Sequence, residues 1–367
     1  MGLFLLWSEQ IDAVEPQPPP EWVREWLAKR SQTHQQQAVK TAKASDSAAQ
    51  AKRAQQRAAK VDAGLADLDQ WLQDIVRQGL AALPSQPYHF WDQAAARLVD
   101  AQAPGLARRL RSLAGMPHSG QNWPERMLRS LGQLHLLVQG YRRLETLSPA
   151  MQAEVRSQIG WPQSQEDLRQ RAEQGDPLVT SAKDIWQVLG QVTFEEENLQ
   201  GQRLWLWGQQ SQTSAWVLNF AHGHQPLAAS LVPGTCFEGE LIFYPGTGLQ
   251  RAFVASQTNP LPQPASPPAA DSIEAAFSRY TQALSQNPWL EQYPLRLAQV
   301  QPVAQGDRWW LQAATGAALP LSHRFQQPLE LFAVSGGHWL TVFGEWDGEA
   351  LLPLSVWSET QFLAMGS

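Results

Sequence analysis

Gly201-Gln202-Arg203-Leu204-Trp205-Leu206 recurs downstream as Gly306-Asp307-Arg308-Trp309-Trp310-Leu311. Each stretch follows a Gln-Val pair, Gln191-Val192 in the first case and Gln299-Val300 in the second. Each is followed by a second apolar segment and a glycine-containing turn. Strand alternation puts Leu204 and Leu206 on one face and Trp205 and Trp207 on the other. A repeat at an offset of about 105–108 residues predicts two similar, mainly antiparallel β modules that can pack as a pair.

Short alternating segments surround these stretches, separated by Gly, Asn, Gln and Pro. In the first half they predict strands over 185–196, 203–208, 214–221, 238–244 and 249–255. In the second half they predict strands over 293–303, 308–312, 338–343 and 351–357. A linker at 256–270 with five prolines stands between the halves. Asp271 and Glu274 have the spacing of a capping box and open a helix to about Leu284.

Upstream of Gly175-Asp176-Pro177 the period changes to that of helices. Trp22, Val23, Trp26 and Leu27 open a helix after Pro18–Pro20. Residues 31–64 are mostly Ala, Gln, Lys and Arg, with strong helix propensity and little to bury. Leu65, Leu68, Trp71, Leu72, Ile75 and Val76 form an apolar stripe. Phe90, Ala94, Leu98 and Ala101 form another. Ser148-Pro149 reads as an N-cap with proline in the first helical position.

The expected class is therefore α+β: an N-terminal α-helical region followed by a duplicated, mainly antiparallel β region. The expected divisions are a short apolar start and Pro-rich spacer (1–20), a helical domain (21–175), a first β module (176–256), a Pro-rich linker with a bridging helix (257–285) and a second β module (286–367).

Composition narrows the function. The chain has 367 residues, 45 of them Gln and 17 Trp, with 17% charged residues and a net charge of −6. That charge is uneven. Residues 21–60 carry nine Lys and Arg against three Asp and Glu, whereas 151–367 carry ten against twenty. On charge balance alone, only the N-terminal arm would attract a polyanion. The single cysteine, Cys236, excludes an internal disulfide or a cysteine-rich zinc site within these residues. No apolar run approaches the ~18 residues of a membrane span. Gly2–Trp7 is too short for a signal-peptide core. These features lead to an expectation of a cytoplasmic protein without a membrane partner.

Several stretches carry a family resemblance. Leu3-Phe-Leu-Leu-Trp7 and Pro20-Glu-Trp-Val-Arg-Glu-Trp-Leu-Ala-Lys-Arg30 are similar to the region just downstream of a bacterial SWIM zinc finger. Ala96–Arg108, Trp123-Pro-Glu-Arg126, Tyr141-Arg-Arg-Leu144 and Ile159-Gly-Trp161 extend the likeness. So do Arg203–Gly208 and Glu240-Leu-Ile-Phe-Tyr-Pro245. The resemblance runs from residue 3 to about 256. In that family a Cys-x-Cys pair and a later Cys-x-His pair hold zinc. The sequence contains no Cys-x-Cys, so no zinc ligand carries over, and zinc is expected only if such a motif lies upstream. The resemblance implies a C-terminal fragment of a SWIM protein, a family whose modules bind DNA or proteins.

The candidate sites are few. Dinucleotide, P-loop, zincin and nucleophile-elbow motifs are absent, which lowers the expectation of an enzyme. His222-Gly-His224 and Glu195-Glu-Glu197 lack the further ligands that a metal needs. Lys40, Lys43, Lys52, Arg53, Arg57 and Lys60 form a basic helix that could neutralise phosphates, with Arg53, Arg57 and Lys60 on one face. The competing reading is an ordinary solvated helix. Trp205, Trp207, Trp309 and Trp310 could form an aromatic platform for bases or a peptide, or pack the core. The expectation is a non-enzymatic binding body with a protein partner and possible DNA or RNA contact. A pure protein scaffold and an unrecognised enzyme are the alternatives.

Overall fold

A computed structural model describes residues 47–120, 122–196, 199–222, 231–248, 251–258, 267–358 and 361–366. The chain divides into two compact units, Met1–Lys60 and Val61–Ser367. The helix predicted near Trp22, together with Lys40 and Lys43, lies outside the described residues.

Helix α1, Ser47–Gln78, crosses the division. Lys52, Arg53 and Lys60 on its first half are exposed and Arg57 is half-buried. Its second half buries Val61, Leu65, Leu68, Leu72 and Ile75. Their three- and four-residue spacing is the stripe that a helix needs to pack on one side. The helices α2 (Tyr88–Asp100), α3 (Pro104–Ser112), α4 (Trp123–Arg142) and α5 (Pro149–Ile159) complete one core with that stripe. As the sequence predicts, Ser148 caps α5, its hydroxyl accepting from the Met151 N–H at 3.4 Å. A short helix α6, Gln165–Glu173, leads into the β region.

Five strands then form a closed barrel: β1 (Ser181–Glu196), β2 (Leu199–Gly208), β3 (Ser214–His222), β4 (Cys236–Phe243) and β5 (Arg251–Gln257). Strand β1 pairs with β4 along its first half and with β2 along its second, bending at a register shift between Val188 and Gly190. Closure comes from a parallel pairing of β3 with β5, Trp216 opposite Arg251 and Val217 opposite Ala252. The order around the barrel is β1-β2-β3-β5-β4. A five-stranded Greek-key barrel with this order and this one parallel pair has the connectivity of an OB barrel. Trp186, Val188, Leu204, Leu206, Val217, Phe237 and Leu241 fill its interior.

The second module repeats the order. After α7 (Ile273–Gln286) come β6 (Tyr293–Gln305), β7 (Arg308–Ala313), β8 (Ala318–Pro320), α8 (Pro328–Ser335), β9 (Leu340–Trp346), β10 (Leu351–Trp357) and β11 (Phe362–Ala364). The sheet runs β11-β10-β9-β6-β7-β8. Strands β6 to β10 thus take the places of β1 to β5. A single parallel bridge, Leu321 to Leu351, stands where β3–β5 pairing closes the first barrel. Strand β8 spans three residues, too few to complete the closure. The class is α+β, with a helical region followed by two mainly antiparallel β modules of matching strand order.

One helix start is corrected. Ser272, not Asp271, caps α7, its hydroxyl accepting from Ala275 N–H at 3.2 Å. Asp271 instead pairs with Arg279 at 3.0 Å.

Candidate functional site

The outward residues of β2 and β3 form a strip beginning with Gly201 opposite Phe220, then Arg203 opposite Leu218 and Trp205 opposite Trp216. An open cleft of about 500 Å³ lies between this strip and the helical bundle. Arg108 and Arg109 of α3 and Trp161, just after α5, line the helical side. Tyr244 and Arg251 enter from the β4–β5 connection, and residues 287–292 run along one wall.

The bundle holds its side of the cleft rigidly. A side chain on Gly105 would meet the Gln158 carbonyl and the backbone of Ile159 and Gly160. Gly160 ends α5 with φ +101°, a conformation that favours glycine. That turn sets Trp161 at the cleft wall. Trp289 pins the 287–292 segment into the bundle core, and its indole N–H donates to the Gln133 carbonyl at 3.0 Å.

Charges along the cleft differ in how they are met. The Arg109 guanidinium donates to the Trp289 carbonyl at 3.0 Å and pairs with Glu291 at 2.9 Å. Burial lowers its pKa, and the Glu291 charge opposes that. Arg203 is neutralised by Glu345, with contacts of 2.6 Å and 3.0 Å. Glu154 is buried and accepts from Gln158 and from the Thr247 N–H. Arg251 is different. Its guanidinium lies 4.6 Å from the Tyr244 ring centroid, and its Nε is buried without a hydrogen-bond partner. Among the described residues no carboxylate pairs with it. Burial lowers its pKa, and the nearby charge of Arg108 lowers it further.

Ring faces accompany these cations. Phe220 is 44% exposed and meets Phe194 edge-on at 6.1 Å. Trp161, Trp216 and Tyr244 are half-buried. The cleft can therefore stack planar groups and hold an anion at Arg251 and Arg108.

The anticipated site residues lie elsewhere. Lys52, Arg53, Arg57 and Lys60 lie on the part of α1 that belongs to the first unit. Trp205 and Trp207 do not form a solvent-facing platform. They are 1% and 4% exposed and belong to the core shared with the second module. The Trp205 indole N–H donates to Glu345 and its ring meets Phe343, while Arg296 covers Trp207 at 3.4 Å. Trp309 and Trp310 are half-buried, and Trp309 packs on Phe332 of α8 at 5.9 Å. His224 lies outside the described residues. Among the described residues no group of three or more His, Cys, Asp and Glu could hold a metal ion.

Residues 56–159 match the family described as the SWIM-associated four-helix bundle domain. Over those residues the chain is similar to that family. The match begins within α1 and ends on the last residue of α5, so Arg108, Arg109 and Gln158 belong to it. No curated protein and no solved structure matches the chain. The residues that sequence reasoning missed, Arg108, Trp161, Phe220, Tyr244 and Arg251, carry no motif of their own. Arg108, Trp161 and Tyr244 do fall in stretches that resemble the SWIM family. The helical bundle and the first barrel contribute one wall each.

Proposed function

We propose that this chain is a non-enzymatic binding body of a SWIM-type protein, and that single-stranded nucleic acid lies in the cleft between its bundle and first barrel. The observation that carries this reading is Arg251, a desolvated guanidinium without a carboxylate partner, set beside Arg108, the exposed Phe220 and the half-buried Trp161 and Trp216. Phosphates would sit on the two arginines and bases would stack on Phe220, Trp161 and Trp216. The strand 2–strand 3 face of an OB barrel is the face on which oligonucleotides lie in that architecture. Binding of this kind needs no cofactor. No helix among the described residues is long and apolar enough to cross a membrane.

Photocrosslinking to a single-stranded oligomer, followed by peptide mapping, tests the assignment. Crosslinks on peptides containing Phe220 and Tyr244 support it. Crosslinks confined to α1 would move the site to the basic helix.

A protein partner is the second reading. It rests on Leu329, Phe332 and Trp339 around α8, which are 71%, 51% and 43% exposed. The acidic balance of residues 151–367 suits a basic protein there. A copurifying partner lost on Phe332→Glu substitution would favour it.

A further inference from the structure

A second cavity, of about 590 Å³, lies between the first barrel, α7 and the start of β6. Its volume falls in the range of small-molecule sites, roughly 300–1,000 Å³. Its walls are rich in short polar side chains, among them Ser181, Thr213, Ser214, Gln282 and Gln286. Arg296 and Arg279 also line it, with Asp271 as the one carboxylate among the described residues.

The cations are unevenly satisfied. Asp271 pairs with Arg279 at 3.0 Å. The Arg296 guanidinium carbon lies over Trp207, 3.4 Å from the ring centroid, and its Nη1 is buried without a hydrogen-bond partner. Two guanidinium groups against one carboxylate leave the site with one net positive charge. Burial pushes the Arg296 pKa down to about 10, so the group stays charged at neutral pH. Arg296 is half-buried and lines the cavity, where an oxyanion would pair with its guanidinium. Hydroxyl and amide side chains around it match a hydroxyl-bearing ligand body.

We propose that this cavity binds a phosphate monoester with a hydroxyl-rich body, the size of a sugar phosphate or mononucleotide, with its phosphate on Arg296 and Arg279. The inference stands on different residues from the cleft and does not depend on it. The 5′-phosphate of a nucleic-acid end presents the same chemistry as a free ester.

Calorimetric titration of the full chain with glucose 6-phosphate and adenosine monophosphate tests the proposal, with glucose and adenosine as controls. The phosphorylated compounds are expected to bind and the controls not. Arg296→Gln should weaken binding about tenfold to a hundredfold, the loss expected for a charge-assisted contact. Gln282→Trp changes an exposed helix position and should block the cavity without disturbing the core. Both variants should keep their affinity for a 5′-hydroxyl oligomer in the cleft. Comparing that oligomer with its 5′-phosphorylated form separates the two sources. A gain on phosphorylation that Arg296→Gln removes assigns the site to a strand end, and a gain restricted to the free esters assigns it to a small molecule. Equal binding of glucose and glucose 6-phosphate would overturn the proposal. So would unchanged affinity in both variants, or no binding by any phosphorylated probe.

Discussion

Arg203 on β2 and Glu345 on β9 form a two-pronged ion pair across the junction of the two β modules, with Nε–Oε1 at 2.6 Å and Nη2–Oε2 at 3.0 Å. The Trp205 indole N–H donates to the same carboxylate. Both partners are largely buried. Removing one partner strands the other charge. Glu345→Ala should destabilise the chain by about 3–5 kcal/mol, and the double change Arg203→Met, Glu345→Leu by much less. Urea unfolding of the two variants checks this. Equal loss in both would show that the pair itself, not the stranded charge, sets the cost.

Gly190 tests the packing of the same junction. An added Cβ would sit 2.6 Å from the Leu354 Cβ of β10. Gly190→Ala should cost about 1–3 kcal/mol, as overpacking does. Adding Leu354→Ala should restore part of that loss. Thermal unfolding of the single and double variants is the measurement.

Asp184 sets an acid limit. Burial of its carboxyl opposes ionisation, but the Ser211 hydroxyl and the N–H groups of Gln210, Ser211 and Ile185 outweigh it and hold the pKa below the usual range. Because the folded value is depressed, the stabilisation is present above the unfolded pKa of about 3.9 and is lost as pH falls through the folded one. Asp184→Asn should cost about 1–3 kcal/mol at pH 7 and should flatten the loss of stability below about pH 4. An unchanged acid limb in the variant would remove Asp184 from that role.

Cys236 is 1% exposed, and burial pushes its thiol up to about 11. A thiol-specific disulfide reagent at pH 8 should label it only when the barrel opens. Labelling rates should therefore track denaturant concentration. Fast labelling of the native chain would contradict the closed β1–β4 pairing around it.

The sequence makes some elements legible and leaves others hidden, for physical reasons. Ser148-Pro149 is a local signal, and α5 starts there. The repeated Gln-Val and Gly-x-Arg segments announce two modules because strand pairs are built from nearby residues. Closure of the first barrel joins Trp216 to Arg251, and a pairing so distant leaves no local trace. The eight-residue α8 and the three-residue β8 are too short to show a period. Trp205 and Trp207 show the limit of alternation. It assigns them correctly to the face opposite Leu204 and Leu206, but both faces of β2 are buried, one inside the barrel and one against the second module. The cleft is assembled from Arg108 on a helix and Arg251 on a strand, and spacing cannot bring those two together.

The most direct test of nucleic-acid binding is fluorescence anisotropy of a labelled single-stranded oligomer, titrated at two salt concentrations. The native chain should bind the single strand more tightly than the matching duplex, with affinity falling as salt rises. Arg108→Glu with Arg251→Glu should weaken binding at least about tenfold and reduce the log–log salt slope by about 1.4, the value for two phosphate contacts on a single strand. Binding that is unchanged in that double variant, or equal for single strand and duplex, would contradict a single-strand site in the cleft.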